Sequence, residues 1–129
     1  MQSIFATTFK LDQSKGWLHY LQDEGYVVIE GVITDDEYNE IFETFKKEWK
    51  EMCPDFDFED KETWKTENLE PMHTGWHYGM VNGHGLGQSD FQWKLRTNPQ
   101  ILDIWKQVHK TDELVVSFDG FSLFLSNTQ

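Results

Sequence analysis

The sequence predicts an α+β domain with too few strands to close a sheet of its own. Three stretches of the 129 residues carry that prediction. Residues 34–52 hold apolar side chains at helical spacing behind a Thr-x-x-Glu start. "YVVIEGV" at 26–32 is a short β-branched run closed by glycine, the signature of a buried strand. "LVVSFDGFSLFL" at 114–125 is apolar on both of the faces along which a strand alternates.

Taken in order, "DQSKGWLHYLQDE" (12–24) predicts a short helix with Trp17, Leu18 and Leu21 on one face. Gly25 stands just beyond it, where a left-handed conformation costs least for glycine. The strand at 26–32 follows. Thr34 and Glu37 then form a capping box, each side chain able to bond the other's backbone N–H. Tyr38, Ile41, Phe42, Phe45 and Trp49 continue at helical spacing until Pro54, which disfavours helix in the residue before it. The expected helix therefore covers 35–52, with one face on the sheet.

Residues 54–71 are acidic and lack a clean period, which predicts a long surface loop with one helical turn. Residues 72–93 are rich in glycine and histidine. Asn98-Pro99 is an N-cap followed by the first helical position, and Ile101, Leu102, Ile104, Trp105 and Val108 give the next helix its apolar face. The chain fits one domain or domain fragment, 1–129, without linker or repeat.

Eleven Lys and Arg face 23 Asp and Glu, for a net charge of −12. That balance repels nucleic-acid backbones and anionic membranes, so neither is an expected partner. Cys53 is the single cysteine, which excludes an internal disulfide and fits a reducing compartment. "MQSIFATTFKLDQSKG" lacks the basic and apolar regions of a signal peptide, and a cytoplasmic location is expected.

Several groups could carry chemistry. Asp55, Asp57 and Glu59 are spaced like the start of a calcium loop, but Asp60 stands where glycine is needed and Thr66 where glutamate is needed. His73, His77 and His84, with Glu70 nearby, form either a zinc-like cluster or ordinary hydrogen-bonding loop histidines. "GHGLGQ" (83–88) matches neither phosphate-loop pattern, and close backbone packing is the expected role of its glycines. Arg96, the single arginine, either clamps a carboxylate ligand or pairs with one of the many acids. Cys53, at a helix C-terminus among acids, reads as packing rather than as a nucleophile. On the closing strand Ser117 and Asp119 share an otherwise apolar face. Asp119 is expected to be either a capped aspartate in a bulge beside Gly120 or a polar group facing a cavity.

"DEGYVVIEGVITDDEYNEIFETF" resembles the opening of phytanoyl-CoA dioxygenase-like proteins. "GLGQSDFQWKLRTNPQILDIWKQVHKTDELVVSFDG" is similar to a microbial and viral branch of the same superfamily, in its W-x-x-R-x-x-P helix entry and its L-x-V-S-F-D-G strand. The resemblance implies that the chain supplies the N-terminal helices and first strands of a double-stranded β-helix, or jelly roll, left incomplete here. It implies Fe(II) and 2-oxoglutarate as cofactors of the complete domain, held by an H-x-D pair, a distal histidine and a downstream arginine. No histidine in this chain is followed by x-D or x-E, so no metal ligand or catalytic residue carries over. His84, Gln88, Trp93 and Arg96 match the family segment near the barrel mouth, Ser117 and Asp119 match the strand leading into the metal motif, and all six stand as candidate substrate or co-substrate wall. The expectation is the N-terminal part of a dioxygenase for a small-molecule substrate, inactive alone. The alternative is a non-catalytic binding or structural subunit that associates, with itself or a partner, through open sheet edges.

Overall fold

The computed structural model describes residues 6–65, 67–69, 76–77, 80–81 and 83–124, with 76–77 as backbone alone. It has mixed helix and strand, in keeping with an α+β chain. Two compact units form: Met1–Tyr38 with Pro99–Leu114, and Asn39–Asn98 with Val115–Gln129.

In the first unit, β1 (Thr8–Lys10), α1 (Ser14–Glu24) and β2 (Val28–Glu30) make a β-α-β turn of chain. The helix is the crossover that parallel strands require. β1 and β2 pair in parallel, Thr8 with Val28, Phe9 with Ile29 and Lys10 with Glu30. α1 ends as expected: Gly25 adopts φ 78° and donates its N–H to the Leu21 carbonyl at 3.0 Å. Trp17 is fully buried, and its indole N–H reaches the Leu11 carbonyl at 3.3 Å. The Phe9 ring lies 5.2 Å from Tyr20, which meets Tyr26 edge-on at 5.7 Å.

β1 carries no strong pattern and was not an expected strand. The expectation of a buried strand at 26–32 is also corrected: β2 covers three residues, and Val28 and Glu30 are exposed. A sheet of two strands has no centre in which to bury one. α4 (Pro99–His109) has half-buried Ile101, Leu102, Ile104 and Val108, while Trp105 is exposed and stacks on His109 at 5.6 Å.

α2 spans Asp35–Met52, the range that the periodicity predicts. Its capping box is complete: the Thr34 N–H donates to Glu37 Oε2 at 2.8 Å, and the Glu37 N–H donates to Thr34 Oγ1 at 3.3 Å. Such a cap is worth about 1 kcal/mol. Asp35, Asp36 and Glu37 also place negative charge at the positive end of the helix dipole.

The core of the second unit is aromatic and centres on the apolar face of α2. The Phe45 ring has Phe91 at 5.0 Å, Phe58 at 5.3 Å, Trp49 at 5.6 Å and Phe121 at 5.7 Å. Residues 54–65 are less of a surface loop than the acidic composition predicts, because Phe56 is buried and Phe58 and Trp64 pack on the core. The expected helical turn is a 3-10 turn at Lys61–Thr63. Asp57 Oδ1 accepts the Glu59 N–H at 2.9 Å and Asp60 Oδ1 accepts the Glu62 N–H at 3.0 Å, so these acids fold the loop.

β3 (Trp76–His77), β4 (Met80–Val81) and β5 (Phe121–Ser122) form an antiparallel sheet in that order. The strand expected over 114–125 is corrected here. Among the described residues only Phe121 and Ser122 join a ladder, with Val81 and Met80. The segment before them has no strand beside it among the described residues, and a strand is defined by such pairing. Its side chains are correspondingly exposed, Val115 and Phe118 among them, against the expectation that both faces would be covered. Among the described residues no helix is long and apolar enough to cross a membrane.

Cys53 closes α2, its N–H bonded to the Trp49 carbonyl at 2.8 Å, and its side chain is fully buried in the aromatic core. Burial pushes the thiol pKa up from the ordinary 9.0. The unfolded chain, whose thiol keeps that ordinary value, ionises first. This group therefore opposes the fold only in alkali: stability is intact below that pH and falls as pH rises through the raised folded value. The native protein is expected to resist a disulfide-exchange thiol reagent at pH 8 and to react fully, with one equivalent, in denaturant. Rapid native reaction would place the thiol at the surface.

Candidate functional site

The region 83–98 begins with a tight turn. The Leu86 N–H bonds the Gly83 carbonyl at 3.2 Å, and both central residues lie at positive φ, His84 at 59° and Gly85 at 74°. Glycine accepts that conformation freely and histidine tolerates it. His84 is thus placed by the backbone of a turn, with its side chain exposed. A 3-10 turn at Leu86–Gln88 follows, then α3 (Asp90–Arg96).

Nothing in the local pattern singles out α3 as a helix of its own, and its start depends on a group distant in sequence. Glu48 of α2 accepts the Asp90 N–H at 2.8 Å and the Phe91 N–H at 3.3 Å. A carboxylate there satisfies two of the orphan donors of the first turn and complements the helix dipole. Lys94 adds an ion pair to Glu40.

Arg96 stands at the last position of α3 and reaches three oxygens. Nη1 donates to the Gly87 carbonyl, and Nη2 donates to Gln92 Oε1 at 2.5 Å and to the Asp119 carbonyl at 2.7 Å. The expected pairing with an acid is thereby corrected: its partners are two backbone carbonyls and an amide oxygen. Its guanidinium fork ties the 3-10 turn, α3 and the closing segment together. Gln92 is buried and its Nε2 donates to the Leu86 carbonyl at 2.8 Å. Sequence reading passed over Gln92, because only burial distinguishes it from a surface glutamine.

Gly87 shows why the glycines matter. A Cβ there would enter the van der Waals envelope of the Phe118 carbonyl oxygen. This is the close backbone approach expected of "GHGLGQ", and the closing segment is what approaches. Trp93 lies across the same contact, its ring 5.7 Å from Phe118 and its indole N–H donating to Gln88 Oε1 at 3.3 Å.

The structure therefore brings Gln88, Trp93, Arg96 and Asp119 into one cluster in the second unit, with Ser117 at its edge. Ser117 and Asp119 are exposed, and the Ser117 hydroxyl donates to Asp119 Oδ2 at 2.5 Å. That corrects the expectation of a buried carboxylate: Asp119 is neither capped in a bulge nor turned into a cavity, and its charge stays in water. His84 opens the turn leading to the cluster. The arrangement fastens backbone to backbone, with its polar groups largely engaged by one another.

The histidine cluster lies outside the described residues, since His73, Glu70 and the His77 side chain are not among them. Among the described residues no group of three or more His, Cys, Asp or Glu could hold a metal ion. A separate open cleft of about 810 Å³ lies in the first unit, where Lys10, Asp12 and Glu30 follow the strand ends and Asp103 faces them from α4. Its residues are scattered in sequence and form no motif, and none is among the candidates.

The chain is 29% identical over 110 residues to "Ava biosynthesis cluster protein O" of Aspergillus versicolor, across 84% of this chain and 34% of that protein. The chain spans about a third of that relative's length. No protein-family model and no solved structure matches.

Arg96→Lys is expected to lower unfolding stability by about 1.5–3 kcal/mol in urea, because an ammonium cannot reproduce the fork. Equal stability of the two proteins would show that the fork is dispensable. Gly87→Ala is expected to displace Phe118 from Trp93, measured as a changed Trp near-UV circular dichroism with far-UV helicity retained.

Proposed function

We propose that the chain is the N-terminal part of a non-haem Fe(II)/2-oxoglutarate-dependent dioxygenase of the phytanoyl-CoA dioxygenase-like type, a hydroxylase whose jelly roll needs further chain, and that it is inactive alone. The observation that carries this reading is the cluster around Arg96. Two stretches with family-like motifs, 85–99 and 114–120, are far apart in sequence, yet Arg96 and Trp93 of one hold Asp119 and Phe118 of the other. The motifs thus act as parts of one structural unit, as segments of a shared domain should. The Aspergillus versicolor relative, named for a biosynthesis cluster and about three times the matched length, accords with a small-molecule substrate for a completed protein.

The described candidate residues do not fit the cofactors. Arg96 is engaged by three oxygens and has no fork left for a dicarboxylate. Asp119 bonds Ser117 at the surface, and no histidine precedes an acid at H-x-D spacing. No catalytic step is assigned to this chain, and its contribution is to support the wall that the remaining strands would meet.

A non-catalytic binding or structural subunit is the second reading, and the exposure of Val115, Phe118 and Phe124 favours it. The test is succinate formation from 2-oxoglutarate with Fe(II) and ascorbate, followed by NMR. The chain of 129 residues is expected to form none above the protein-free control. A form extended through an H-x-D motif is expected to turn 2-oxoglutarate over. Turnover by the short chain would overturn the claim of inactivity, and an extended form indifferent to 2-oxoglutarate would overturn the dioxygenase reading.

A further inference from the structure

We draw no further inference here: the strongest candidate, the open cleft of the first unit where Lys10, Asp12, Glu30 and Asp103 meet the start of α1, is an exposed acidic cluster beside a helix N-terminus, with none of its lining residues buried and nothing in the structure to say what ligand would enter it.

Discussion

Residues 115–120 have no ladder partner among the described residues, and the guanidinium of Arg96 anchors them at the Asp119 carbonyl. One planar fork takes the Gly87 carbonyl, the Gln92 amide oxygen and the Asp119 carbonyl. Such charge-assisted bonds are about twice as strong as neutral ones. Once Asp119 is held there, Phe118 sits against Trp93 and Gly87. Two residues further on, Phe121 enters the aromatic core beside Phe45 and pairs with Val81. The placement of β5 and the exposure of the residues before it both follow from that one grip.

The acids that dominate the composition serve the fold more than any chemistry. Glu37 closes the capping box of α2, Glu48 caps α3, and Asp57 and Asp60 turn the loop that brings Phe56 inward. In each case a carboxylate accepts backbone N–H groups that would otherwise lack partners.

The comparison and the architecture bear on function at different depths. Similarity to the Aspergillus versicolor protein extends over most of this chain but about a third of that one. The cluster around Arg96 gives the candidate wall residues a concrete present task. Gln88, Trp93 and Arg96 fix the closing segment.

What the sequence determined by itself is local. The Thr34–Glu37 box, the bounds of α2, the left-handed Gly25 and the helix after Pro99 were legible because their bonds join residues three or four apart. The need for a small residue in "GHGLGQ" was legible for a similar reason, since glycine marks a backbone constraint whatever its partner. What only the tertiary structure decided is everything set by partners distant in the chain. β1 became a strand by pairing with β2, and α3 began where Glu48 could reach it. Arg96 bonded two carbonyls and an amide oxygen instead of an acid, and the apolar run stayed mostly unpaired over its described residues, 114–124. A strand's identity lies in its neighbour and an arginine's in the oxygens within reach, and neither is written in the residues beside it.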